Sequence, residues 1–275
     1  MLLDFSRTTL GTANVNGTRC IEYIQRGLTA GYRSIDTAQA YRNEEAVGQA
    51  IREHSVPRKQ IHVMTKVSTG FKQNPGSLNE VKDAVEGSLT RLKIGYVDAM
   101  LIHHPGDDTV DPEAAYRRRV TWQGLETLVE LGKVRNIGVS NFNIAHLREL
   151  KQYARILPVV NQIELHPWCQ QRELVNHCQK EKIPLQAYLA ISRNSQESDE
   201  GLKALAKKYN VSAAAILICY SVRKGFLPIV KAEDPQHLVS NLKAEKLCIE
   251  DEDLAVIDSW DMGKSGSISE YLDLL

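Results

Sequence analysis

Val97-Asp98-Ala99-Met100-Leu101-Ile102-His103 is a short aliphatic run that ends in an imidazole. A run this apolar, without the alternation of a half-exposed strand, is what a strand of a buried parallel sheet looks like. Two more lie upstream: Arg33-Ser34-Ile35-Asp36 ends in an acid, and Ile61-His62-Val63-Met64-Thr65-Lys66 ends in an amine. Tyr41 sits in the loop after the first of them. Beyond that loop, Asn43 to Glu53 presents Val47 and Ile51 at helical spacing, with Glu44 and Glu45 in the first turn, where the positive helix end favours acids. Strand, loop and helix alternate.

The unit recurs downstream. Val134 to Val139 leads to Ser140 and Asn141, Val159 to Ile163 leads to Glu164, Pro184 to Ala187 leads to Tyr188, and Phe226 to Val230 leads to Lys231. Between the runs, Leu78 to Leu92, Trp122 to Leu131, Leu147 to Tyr153, Glu173 to Glu181, Leu202 to Tyr209 and Ala213 to Val222 repeat apolar residues three and four apart, the period of a helix with one buried face. Seven strands are readable in this way, and Ala244 to Leu247, diluted by Glu245 and Lys246, is the expected eighth. Repeated βα units predict a single α/β domain over residues 1–275, a (β/α)8 TIM barrel. In that fold the functional groups gather where the strands' C-terminal ends open into loops. A doubly wound sheet would alternate similarly, but no strand is followed by a Gly-x-Gly-x-x-Gly turn. No linker or low-complexity segment divides the chain.

With 275 residues, 43% of them hydrophobic, the chain is long enough to bury a large core. Its 34 basic and 34 acidic residues cancel, so no long-range field draws it to nucleic acid or an anionic membrane. No stretch approaches the roughly 18 apolar residues of a membrane span. Met1 to Thr12, with Asp4 and Arg7, reads as neither signal peptide nor anchor. Five scattered cysteines without a Cys-x-x-Cys pair fit neither a disulfide framework nor a zinc ribbon, and the expectation is a reducing, cytoplasmic setting and a monomer.

Asp36, Tyr41, Lys66 and His103 together suggest one proton-handling site. A phenol, with an ordinary pKa near 10, is a poor acid at neutral pH, but an adjacent ammonium favours the phenolate. Lys66 is placed to supply that charge, Asp36 to hold the amine, and His103 to hydrogen-bond a substrate oxygen. Each residue alone has a plainer reading: a loop-capping acid, a loop aromatic with a wet hydroxyl, a snorkelling amine. His103 and His104 are adjacent, and neighbours on a strand point to opposite faces, which counts against a shared metal ion.

Over Thr9 to Asn241 the chain resembles the aldo-keto reductase family. The segments that carry the resemblance are Gly31-Tyr32-Arg33-Ser34-Ile35-Asp36-Thr37-Ala38 with Tyr41, Asn43, Glu44 and Gly48; Thr65-Lys66-Val67; Leu101-Ile102-His103; Gly138-Val139-Ser140-Asn141-Phe142; and Asn161-Gln162-Ile163-Glu164 with His166-Pro167. The resemblance implies a catalytic tetrad of Asp36, Tyr41, Lys66 and His103, and NAD(P)H-dependent reduction of an aldehyde or ketone, with Tyr41 as general acid and His103 orienting the carbonyl. It also implies that Tyr188 stacks on the nicotinamide, that Ser140, Asn141 and Gln162 bind its carboxamide, that Lys231 and His237 lie along the adenosine phosphate, and that Asn241 contacts the adenine. NADPH is the expected cofactor and NADH a possible one, because Ala232 and His237 stand where the family usually has Ser and Arg.

After Tyr188 the family's Ser-Pro-Leu is replaced by Leu189-Ala190-Ile191, with Ser192 or Arg193 as compensating donors. On the substrate side His104 stands where the family often has Trp, Trp168 is expected on the opposite side, and the short tail after Trp260 predicts an open site. The segment before Gly11 is brief for the family's barrel-plugging hairpin. Two alternatives to a reductase are a nicotinamide-binding sensing module with little turnover and a bulk structural protein.

Overall fold

The computed structural model describes residues 8–67, 75–107, 109, 111–192 and 198–269. Residues before Thr8 and the loop residue Arg193 lie outside these. Eight parallel strands close a barrel in chain order: β1 Thr9–Gly11, β2 Ser34–Asp36, β3 His62–Val67, β4 Ala99–Ile102, β5 Ile137–Ser140, β6 Asn161–Glu164, β7 Leu185–Tyr188 and β8 Leu227–Val230. Seven of them fall where the apolar runs lie.

The eighth does not. Ala244–Lys246 is a 3-10 turn that continues the helix Pro235–Lys243, and the barrel closes instead through β1, whose Leu10 pairs with Ile35 of β2 and Val230 of β8. Three residues, Thr-Leu-Gly, are too few to show any period, while Ala-Glu-Lys is made of helix formers.

Ten helices are present among the described residues: α1 Gly17–Ala30, α2 Glu44–Glu53, α3 Leu78–Leu92, α4 Ala114–Glu130, α5 Ile144–Tyr153, α6 Arg172–Lys180, α7 Glu200–Lys208, α8 Ala213–Arg223, α9 Pro235–Lys243 and α10 Asp251–Asp258. α1 shows why they dock. Its buried Cys20, Tyr23, Ile24, Gly27 and Leu28 recur three and one apart, which puts them on one stripe against the strands. Gly48 is needed where α2 meets the end of α3: a Cβ there would lie 1.9 Å from the Leu92 carbonyl oxygen. Asp234 caps α9, accepting a hydrogen bond from Gln236 N at 2.6 Å, and Pro235 takes the first helical position, as its fixed φ suits.

α4 begins eight residues before Trp122, where the readable helical period starts. Within that first part Arg118 is buried, donating to Glu149 at 2.6 Å and to the Pro105 carbonyl at 3.0 Å. The main core lies between strands and helices. Inside the barrel, Met64, Ala99, Leu101 and Val160 form a small apolar layer. A third cluster under α7, α8 and α10 holds Trp168, Leu202, Ile216, Tyr220 and Ile257. No helix among the described residues is long and apolar enough to cross a membrane.

Candidate active site

β2 ends on Asp36 and β3 carries Lys66 one residue before its end, so both side chains enter the barrel mouth from neighbouring strands. Lys66 is fully buried, and its ammonium donates to both Asp36 oxygens at 2.6 and 2.8 Å, to the Thr37 carbonyl at 3.0 Å and to the Tyr41 hydroxyl at 3.3 Å. Tyr41 is delivered by a 3-10 turn, Gln39–Tyr41, that ends on Arg42 in the left-handed region at φ 55°. His103 follows β4 directly, its ring edge-on to Tyr41 with centroids 5.7 Å apart. The four residues of the sequence reading meet in one place.

Burial raises the Tyr41 phenol above its ordinary pKa; the Lys66 ammonium opposes that rise and the Asp36 carboxylate reinforces it. The sequence pointed to a lowered value, and here desolvation outweighs the single cation. Burial works against the Lys66 ammonium, but Asp36 and then Tyr41 more than offset it, so its pKa is raised. His103 is held well below the ordinary imidazole range by burial, then by Lys66 and His104. At neutral pH the site therefore holds a phenol, an ammonium and a neutral imidazole.

A polar chain runs from this cluster into the barrel. Gln162 Nε2 donates to Asp36 Oδ2 and to Gln186 Oε1, each at 2.8 Å, and Gln186 donates to Thr9 Oγ1 at 3.2 Å. With both N–H groups of Gln162 directed inward, its Oε1 is the atom left to meet a ligand. Gln186 escaped the sequence reading, although a glutamine inside a buried apolar strand was the signal.

Asn141, at φ 61°, ties the opposite wall together. Its Nδ2 donates to the His103 carbonyl at 3.0 Å and lies 3.1 Å from both His104 Nδ1 and Ser140 Oγ, while its Oδ1 accepts from the Tyr188 hydroxyl at 2.8 Å. The His103 carbonyl can only accept, which orients the Asn141 amide. The two histidines were expected on opposite faces; instead their rings stack at 4.8 Å, because strand alternation stops with β4 at Ile102. No group of three or more His, Cys, Asp or Glu among the described residues is gathered to hold a metal.

One substrate-side expectation changes. Trp168 is buried and stacks on Trp260 at 5.5 Å within the C-terminal cluster, so its indole serves packing. The tail after Trp260 returns to the mouth: Ser267, Ile268 and Ser269 dock on Glu164 at the end of β6, and Ser269 Oγ lies 3.2 Å from the Tyr188 hydroxyl. Tail and loop meet in tertiary contacts that local patterning does not reveal.

Farther out, Lys231 is exposed just after β8, with Nζ 3.5 Å from the Ala13 carbonyl. His237 is exposed on α9 and Asn241 buried in it. Ser192 is buried at φ 46°. A cation that sequence reading missed reaches the same rim: Arg19 of α1 pairs with Glu233, both exposed. That pairing, with Lys231 nearby, holds the Glu233 carboxyl below its usual range.

The sequence model of the aldo/keto reductase family matches residues 7–194, and the chain belongs to that family. It is 36% identical over 244 residues to a glyoxal reductase of Bacillus subtilis, covering 89% of this chain and 84% of that one. A methylglyoxal reductase of Yersinia pestis is 35% identical over 243 residues, 88% of this chain and 83% of its own. Among solved structures, the Bombyx mori aldo-keto reductase in complex with NADP superposes with a TM-score of 0.84 at 32% identity, covering 97% of this chain and 92% of that one.

Proposed function

We propose that the protein reduces small aldehydes or ketones, dicarbonyls of the glyoxal and methylglyoxal type among them, with NADPH preferred over NADH. The observation that carries this is the Lys66 ammonium held between the Asp36 carboxylate and the Tyr41 hydroxyl. A bound dihydronicotinamide would supply the hydride. Tyr41 would deliver the proton to the carbonyl oxygen as negative charge gathers there. Lys66 stabilises the phenolate that this leaves, by a charge kept in place through Asp36. The neutral His103 imidazole orients the carbonyl by donating a hydrogen bond to its oxygen.

The donor set suits the cofactor. Gln162 Oε1, Ser140 Oγ and the Asn141 amide suit a carboxamide, and the Tyr188 ring, hydrogen-bonded to Asn141, suits a flat ring face. Lys231 and Arg19 offer charge to a phosphate, and Asn241 lies on the helix that follows. Glu233 beside them weakens discrimination for a 2′-phosphate. The test is NADPH oxidation with methylglyoxal by the wild-type protein and by Tyr41→Phe. Turnover that Tyr41→Phe abolishes supports the reading. Cofactor binding without turnover of any carbonyl would favour a sensing module instead.

A further inference from the structure

We infer that Glu164 is a positioning residue that hitches the C-terminal segment to the barrel mouth and, through Ser269, holds Tyr188 in place. This rests on the reading of Tyr188 as the nicotinamide platform.

Glu164 ends β6 and lies directly across from Tyr188, which ends β7. Its side chain is fully buried, yet it remains a carboxylate because donors surround it. Oε1 accepts from Ile268 N at 2.7 Å and His166 Nε2 at 3.0 Å; Oε2 accepts from Ser267 Oγ at 2.8 Å and Ser269 N at 3.2 Å. Three of those four donors belong to the tail. A carboxylate accepts only, so His166 must carry its proton on Nε2. The Tyr188 hydroxyl spends its one proton on Asn141 Oδ1, which also only accepts; Ser269 is therefore the donor in its 3.2 Å contact with Tyr188. One line of bonds thus runs from Glu164 through the tail to Tyr188 and Asn141.

The rest of the β6–α6 loop grips the same segment. Met262 N donates to the Trp168 carbonyl at 2.9 Å, Arg172 pairs with Asp261 at 2.8 Å, and Gln170 Nε2 donates to the Asp258 carbonyl at 3.0 Å. Gly266 lies flat on the Trp168 carbonyl, where a Cβ would sit 1.9 Å from its oxygen. These outer contacts keep the segment near the loop without Glu164; the final residues before Glu270 depend on the carboxylate.

Glu164→Gln tests this. The amide turns an N–H₂ toward either the His166 and Ile268 pair or the Ser267 and Ser269 pair, so the tail loses one or two of its three bonds to this side chain while the volume stays. In the cofactor-free protein, amide exchange at Ile268 or at Ser269 should quicken about tenfold or more, while Leu101 and Ile163 in the strands keep their protection. NADPH titrated by fluorescence should bind several-fold more weakly, with kcat at saturating cofactor little changed. Ser269→Ala should weaken NADPH similarly without freeing the Ile268 amide, and Ser269→Thr, which keeps the hydroxyl, should restore binding. Unchanged exchange at Ile268 and Ser269 in Glu164→Gln, equal loosening of the strands, or unchanged NADPH affinity would overturn the assignment. The exchange measurement needs no turnover, so a protein that reduces no carbonyl would sink the proposed function and leave the anchor to be judged on exchange and binding.

Discussion

Lys66 grips Asp36 by both carboxylate oxygens, at 2.6 and 2.8 Å, with neither side chain more than 4% exposed. A buried pair of this kind contributes little net stability, but removing one partner strands the other charge. Lys66→Met should abolish carbonyl reduction and lower stability by about 3–5 kcal/mol in denaturant melts. The Lys66→Met, Asp36→Asn double variant should recover most of that stability and none of the activity. Recovered turnover would mean that the ammonium is not needed for the chemistry.

Tyr41→Phe removes the hydroxyl that accepts from Lys66 and keeps the ring beside His103. A fall in kcat of roughly 10²–10⁴ is expected, with the melting temperature nearly unchanged. Because burial raises this phenol, its acid form persists through neutral pH, and reduction by the wild type should decline only in the alkaline range where the phenol ionises. A rate that falls through neutral pH would assign the proton to another group.

His103 is depressed well below the ordinary imidazole value, chiefly by burial. The unfolded chain takes up a proton at a higher pH than the folded one, so the stability this group contributes is present above about pH 6.5 and is lost as pH falls. Ring resonances of His103 in NMR spectra should stay in the neutral form between about pH 6 and pH 8. Titration in that window would contradict the neutral donor assigned to it.

At the cofactor's outer end, Lys231→Ala should weaken NADPH more than NADH, and Glu233→Gln should do the reverse by releasing Arg19 from its pair. Both shifts should shrink at high salt, since these groups are exposed. Equal effects on the two cofactors in fluorescence titrations would remove the phosphate assignment.

Glu164 carries the largest acid-side prediction. Burial pushes its pKa up, but His166 and the three tail donors more than reverse that and bring it down to about 2. A folded value below the unfolded one means stability that is present above the unfolded value and lost as pH falls toward the folded one. From an ordinary carboxylate down to about 2, this amounts to roughly 3 kcal/mol. Melts of the wild type between those limits should show a slope that Glu164→Gln lacks.

The sequence by itself determined the βα alternation, seven of the eight strands, and the four polar residues at strand ends or in the loop just beyond, because side-chain period and strand-end placement are local properties of the chain. It missed β1, where three residues have no period, and it gave no sign of the buried Arg118, because burial of a charge depends on a distant partner, Glu149. Only the tertiary structure decided that desolvation raises Tyr41, that His103 and His104 stack, that Trp168 belongs to a packing cluster, and that the tail returns to Glu164. Glu164 and Ile268 are 104 residues apart, and what joins them is a carboxylate that cannot stay charged in the barrel mouth without donors from somewhere else in the chain.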